Sequence, residues 1–133
     1  MVDEKWNTKL CDFGFARAIE NRERQRMTMC GSPYFNAPEL LLGKAYNDKV
    51  DVFAYGILLC EIITRGKVNL DRVGKSANNA FALDVESITK EIPKDCPPVF
   101  WKVALCCCNY EPEKRPTMMQ VEKMIAACRN LYK

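Results

Sequence analysis

Apolar positions mark out the chain's helices before any other signal does. From about 48 to 65, Val50, Val52, Phe53, Tyr55, Ile57, Leu58, Leu59, Ile62 and Ile63 cover nearly every side of a helical cylinder. A helix that is apolar all round is surrounded by other elements. Asn47 or Asp48 supplies its cap, and Thr64-Arg65-Gly66 its end, with a cation in the last turn and glycine beyond. Pro38 to Leu42 predicts a short helix with proline at an early position and Gly43 as its stop. Pro97 and Pro98 open another, with Phe100, Val103, Ala104, Cys107 and Cys108 at helical spacing before an Asn109 to Pro116 loop. The last helix is the best marked. Thr117 and Gln120 form a capping box, and Val121, Met124, Ile125, Cys128 and Leu131 make one stripe. A strand is expected from Trp6 to Leu10, an exposed loop from Ile19 to Thr28, and one short helix near Asn79 to Lys90 within a weakly patterned, polar stretch.

Composition narrows the classes. With 133 residues, 48% hydrophobic and 28% charged, the chain has the balance of one folded domain, not that of a disordered tract. A net charge of +3, spread along the whole length, gives no clustered basic face for nucleic acid. The apolar run from Val52 to Cys60 is far short of the ~18 residues a membrane span needs. The N-terminus, Met1-Val2-Asp3-Glu4-Lys5, lacks an apolar signal core, which predicts a cytoplasmic location with reduced thiols. Eight cysteines without a single histidine or C-x-x-C knuckle make no zinc site, and most lie in apolar stretches where a thiol acts as a small hydrophobe.

The chemistry sits in an ordered set of short motifs. Asp12-Phe13-Gly14 alone is weak, since an isolated aspartate there reads as a turn residue. It is followed by Gly31-Ser32-Pro33-Tyr34, then Asn36-Ala37-Pro38-Glu39, Asp51-Val52-Phe53-Ala54-Tyr55-Gly56 and Pro112-Glu113-Lys114-Arg115-Pro116. In order and spacing this set resembles the C-terminal lobe of a eukaryotic protein kinase: D-F-G, activation loop, A-P-E, the D-x-W-x-x-G helix and the R-P before the last helix. The resemblance covers nearly the whole chain. It implies a mainly α fold, the helical lobe of the kinase fold, with a short β segment near the N-terminus. Residues 1–133 would be one partial kinase domain with the activation segment at 12–39. The wording of Asp48 to Phe53 and of Cys108 to Pro116 looks like the tyrosine-kinase-like group, nearest to the LIM-kinase and testis-specific-kinase branch.

That resemblance implies roles residue by residue. Asp12 would ligate the magnesium that bridges the phosphates of ATP, with Phe13 and Gly14 setting the loop's packing beside the nucleotide. Thr28 would be the activation-segment phosphosite, its phosphate facing Arg17, Arg22, Arg24 or Arg26. Ser32, Pro33 and Tyr34 would meet a protein substrate, in the Ser/Thr-specific form of this segment. Glu39 and Arg115 would form a buried ion pair, and Asp51 would hydrogen-bond the backbone of a catalytic loop; these three are structural.

The parts that phosphoryl transfer also requires are a phosphate-covering glycine-rich loop, a lysine on the nucleotide with its glutamate partner, and an aspartate taking the substrate proton. None of these is found among residues 1–11, where Val2 to Lys9 resembles the hairpin that follows a catalytic loop. The expectation is therefore a chain inactive by itself and binding no ATP or magnesium alone. Loss of partners for Asp51 and for the apolar helix predicts loose packing, since a buried polar group left unpaired costs about 1–3 kcal/mol. The alternative is a non-catalytic, pseudokinase-like interaction module that binds a substrate or a partner kinase.

Overall fold

The computed structural model describes residues 1–16, 32–66 and 80–131. The Ile19 to Thr28 loop, with Thr28 and its neighbouring arginines, lies outside the described residues, as does most of the polar stretch after Gly66. Among the described residues five helices carry the fold: α1 Pro38–Leu41, α2 Lys49–Thr64, α3 Val85–Lys90, α4 Pro98–Cys107 and α5 Met118–Leu131, with a 3-10 turn at Pro112–Lys114. Mainly helical architecture with almost no strand among the described residues agrees with the expected helical lobe.

Each helix follows from local chemistry. Pro38 starts α1 where its missing N–H is no loss, and Gly43, at φ +63°, turns the chain away from it. At the start of α2, Asn47 Oδ1 accepts from the Lys49 N–H at 3.1 Å, whereas Asp48 makes no side-chain cap bond. The end of α2 is closed by Gly66 N–H donating to the Glu61 carbonyl at 2.8 Å, a 6→1 closure. Arg65 itself takes the left-handed conformation there, at φ 56°, so the turn spends an arginine where glycine was expected to act first. The α5 capping box is made: Gln120 N–H donates to Thr117 Oγ1 at 3.2 Å, and Thr117 N–H to Gln120 Oε1 at 2.7 Å.

Packing centres on α2 against α4. Phe53, Ile57 and Cys60 of α2 meet Val103, Ala104, Cys107 and Cys108, with Val121 of α5, Ile88 of α3 and Ala37 closing the core. Gly56 makes the approach close: a β-carbon there would lie 2.6 Å from Cys108 Sγ and 2.7 Å from Cys107 Cβ. Val121 and Cys128 are the buried members of the α5 stripe, and Met124 and Ile125 are half-buried.

Four expectations are corrected. No strand runs from Trp6 to Leu10; the segment makes one isolated antiparallel bridge, Val2 with Thr8. Trp6 stands at φ 63°, which interrupts an extended run, and the Asp3 carboxylate organises the turn by accepting from the N–H groups of Lys5 and Asn7. The short helix begins at Val85, not near Asn79, because Ala80 and Phe81 hold positive φ and Asp84 provides the cap to Ser87 N–H at 3.0 Å. α2 is not enclosed on every side: Leu58 and Ile62 are 43% and 57% exposed. Nor are polar groups stranded inside, since among the described residues every buried side-chain nitrogen and oxygen has a hydrogen-bond partner.

Candidate active-site cleft

The start of α2 and the turn after Leu10 face each other across a cleft of about 510 Å³. Asp12 and Phe13 line one wall, Ser32 and Asn36 a second, and Asp48, Asp51 and Ala54 the floor. Asp12, at φ 62°, turns back so that Gly14 N–H donates to its Oδ1 at 3.4 Å, and both Asp12 and Phe13 are exposed to the cleft. Of the residues singled out from sequence, Asp12, Phe13, Ser32 and Asp51 come together here. Gly14, Pro33 and Tyr34 are not on its walls, and Thr28 lies outside the described residues.

Electrostatics mark the floor. Partial desolvation, then the neighbouring Asp48 carboxylate, holds the Asp51 carboxyl above its ordinary range. Negative charge thus accumulates on the floor, where Asp48 neighbours Asp51. Among the described residues no three His, Cys, Asp or Glu side chains form a ready-made metal cluster. A lone hard carboxylate such as Asp12 suits magnesium, which keeps waters and phosphate oxygens as its other ligands.

Below the cleft the segment after Ser32 is bolted to the helical base. Phe35 and Asn36 N–H groups both donate to the Ser32 carbonyl, at 3.1 and 3.3 Å, giving a tight turn that delivers Glu39 into the interior. Glu39 and Arg115, 5% and 2% exposed, form a two-pronged pair: Nη1 to Oε1 at 2.6 Å and Nη2 to Oε2 at 2.9 Å. The other guanidinium protons go to the carbonyls of Asn109, Lys49 and Tyr110, and the Phe53 ring lies 4.8 Å from its central carbon. Every donor of this buried cation is directed at an acceptor, the condition under which a buried pair persists. Tyr34 is tied to α2 as well. Burial, with the hydrogen bond and charge of Glu61, pushes its hydroxyl well above the usual tyrosine range.

Sequence reading assigned no role to Lys49, Glu61 or Asn36. A cation in the first turn of a helix opposes the helix dipole, and that mismatch was the signal available for Lys49. Its ammonium donates to the carbonyls of Arg115 and Pro116, at 2.6 and 3.0 Å.

Comparison with known proteins gives concordant findings. The sequence profile of the protein kinase domain family matches residues 1–125. A probable serine/threonine-protein kinase of Dictyostelium discoideum is 40% identical over 129 residues, covering 94% of this chain and 17% of that protein. A second from the same organism is 36% identical over 121 residues, covering 91% of this chain and 28% of that protein. A RasGEF domain-containing serine/threonine-protein kinase, also from that organism, is 38% identical over 134 residues, covering all of this chain and 14% of its own length. The chain thus spans less than a third of each of these relatives. No helix among the described residues is long and apolar enough to cross a membrane.

Proposed function

Because this chain belongs to the protein kinase domain family, we propose that it forms the helical half of a Ser/Thr protein kinase site, serving ATP- and magnesium-dependent phosphorylation of protein substrates in the cytoplasm. The observation that carries this reading is the cleft in which the Asp12 carboxylate faces Ser32 above a base fixed by Glu39 and Arg115.

Within it, Asp12 would hold magnesium, with Phe13 and Gly14 shaping the turn that presents it. Magnesium bound there neutralises phosphate charge. Ser32, exposed on the cleft wall, would meet the substrate hydroxyl's surroundings, and Pro33 and Tyr34 would bear on the flanking peptide; the link from Tyr34 to Glu61 holds that segment at a fixed height over α2. Thr28 would be the phosphosite. Asp51 would support a catalytic loop from the cleft floor. Affinity with the tyrosine-kinase-like group, on the wording of Asp48 to Phe53 and Cys108 to Pro116, belongs to the same proposal. The 133 residues by themselves supply the carboxylate and the substrate wall, not a glycine-rich loop, a nucleotide lysine or a catalytic aspartate, so turnover and nucleotide binding are expected of the complete molecule only.

The test has two arms. In a complete kinase carrying these residues, Asp12→Asn is expected to abolish transfer from MgATP to a serine- or threonine-containing protein while leaving the fold intact. Retained transfer overturns the role given to Asp12. For the 133-residue chain, millimolar MgATP is expected to leave the melting temperature unchanged, because a ligand bound only to the folded state would raise it. A magnesium-dependent rise overturns the inactive reading.

A second reading, the non-catalytic interaction module, rests on the exposure of Trp6 and Leu10, 87% and 90%, the latter on the cleft lining. It predicts that the isolated chain binds a full-length kinase and that Trp6→Ala with Leu10→Ala weakens the complex.

A further inference from the structure

Three cysteines that the phosphotransfer reading does not use meet at the closest point between α2 and α4. Cys60 and Cys108 are 2% and 4% exposed, and Cys107 is fully buried. Gly56 opens the notch they share. The Cys108 sulfur sits where a side chain at 56 would begin, 2.6 Å from that β-carbon position and 4.0 Å from the Phe53 carbonyl oxygen. Cys60 stands one turn after Gly56 on the same face of α2, and helical side chains lean back over the preceding turn. The Cys108 thiol is consequently in hydrogen-bonding reach of the Cys60 sulfur.

We propose that Cys60 and Cys108 are a hydroperoxide-sensitive thiol pair that closes to a disulfide joining α2 to the C-terminal end of α4. Two features select this pair from the seven cysteines among the described residues. The first is proximity: both lie in one buried cluster where α2 approaches α4 closely at Gly56, as a bridge between two helices requires. The second is electronic. Donation by Cys108 lowers the Cys60 thiol from its ordinary value, favouring the nucleophilic thiolate, whereas burial and the neighbouring Cys106 and Cys60 raise the adjacent Cys107 to about 12 and keep it protonated.

Burial also selects the oxidant. At 2% and 4% exposure the two thiols exclude a large charged disulfide such as oxidised glutathione, whereas hydrogen peroxide is water-sized and neutral. The Cys60 thiolate attacks one peroxide oxygen; the O–O bond breaks, and sulfenic acid forms at Cys60 as the other oxygen leaves as hydroxide and takes a proton to become water. The Cys108 sulfur then displaces hydroxide from the Cys60 sulfur, its proton completing a second water. Two thiols are oxidised by two electrons and one peroxide is reduced to two waters.

The experiment is peroxide titration of the folded 133-residue chain, followed by alkylation of remaining thiols under denaturing conditions and peptide mapping without reductant. The expected result is loss of two thiols, recovery of one cross-linked peptide joining Cys60 to Cys108, reversal by dithiothreitol, and no cross-link with oxidised glutathione. In Cys60→Ser, and separately in Cys108→Ser, that cross-linked peptide is absent at the same dose. Should peroxide instead yield bonds only among the exposed Cys11 and Cys106, or leave Cys60 and Cys108 both alkylatable, the proposal is overturned. The map of the unsubstituted chain decides this even where a variant does not fold.

Discussion

Lys49 and Arg115 hold each other's main chain: the Lys49 ammonium donates to the Arg115 carbonyl at 2.6 Å, and Arg115 Nη1 donates to the Lys49 carbonyl at 3.0 Å. Two cations are thereby brought to one corner without repulsion deciding the outcome, because each faces carbonyl oxygen and Arg115 also faces Glu39. The arrangement pins the first turn of α2 to the segment before α5. Lys49→Met keeps the aliphatic stem and removes the donors, leaving the half-buried carbonyls of Arg115 and Pro116 short of a partner. A loss of about 1.5–3 kcal/mol is expected, the range for hydrogen bonds to a charged group, and urea unfolding measures it. An unchanged midpoint would show that water replaces the ammonium at no cost.

Removing the carboxylate is expected to do more. Glu39→Ala leaves the buried guanidinium with carbonyl acceptors only, and loss of one member of a buried pair costs about 3–5 kcal/mol. Glu39→Gln keeps one acceptor oxygen in nearly the same place and is expected to fall between the wild type and the alanine variant. Equilibrium denaturation of the three proteins orders them; equal stability of the glutamine and alanine variants would mean that charge, not hydrogen-bond geometry, fixes the pair.

What the sequence made legible was periodic or capped. The α4 and α5 helices were readable because prolines, the Thr117 and Gln120 box and an apolar stripe act within a few residues of each other. Trp6 to Leu10 misled because aromatic and apolar residues favour strands in general, while the Asp3 carboxylate, gathering two N–H groups, imposed a turn. The exposure of Leu58 and Ile62 could not be read from α2 itself, whose apolar residues encircle it; which face is covered depends on elements far away in sequence. The cleft was legible only as an ordered set of motifs, since nothing local to Asp12, Ser32 or Asp51 says that they converge. Lys49 shows the opposite limit: its acceptors are 66 and 67 residues away, so only its unfavourable place on the helix dipole hinted at them.

The raised Asp51 carboxyl gives a pH dependence with a definite sign. Its folded-state value lies above the ordinary 3.8, so between the two values the folded chain binds more protons than the unfolded chain. Stability from this group is therefore fully present below 3.8 and is lost as pH rises through the raised value. Asp51→Asn removes that loss. Thermal melting at neutral pH is expected to favour the asparagine variant, with the difference from wild type shrinking as pH falls toward 3.8. A difference that stays constant with pH would show that titration of Asp51 is not its source.

Gly56 sets how closely α2 and α4 approach, and its substitution separates helix propensity from packing. Alanine within a helix is ordinarily worth about 0.5–1 kcal/mol over glycine, so on local grounds Gly56→Ala stabilises α2. The methyl group, however, would lie 2.6 Å from Cys108 Sγ, 2.7 Å from Cys107 Cβ and 3.1 Å from the Ala104 carbonyl oxygen. Two of these neighbours are fixed by the α4 backbone and cannot turn aside, so the helices must part. Overpacking of this kind costs about 1–3 kcal/mol, and the net change is expected to be destabilising. Adding Cys108→Ala removes the sulfur contact but not those with Cys107 and Ala104, so the double variant is expected to recover only part of the loss. Denaturation midpoints of the single and double variants test this directly: full recovery would place the whole clash on the Cys108 sulfur, and no recovery would place it on the backbone of α4.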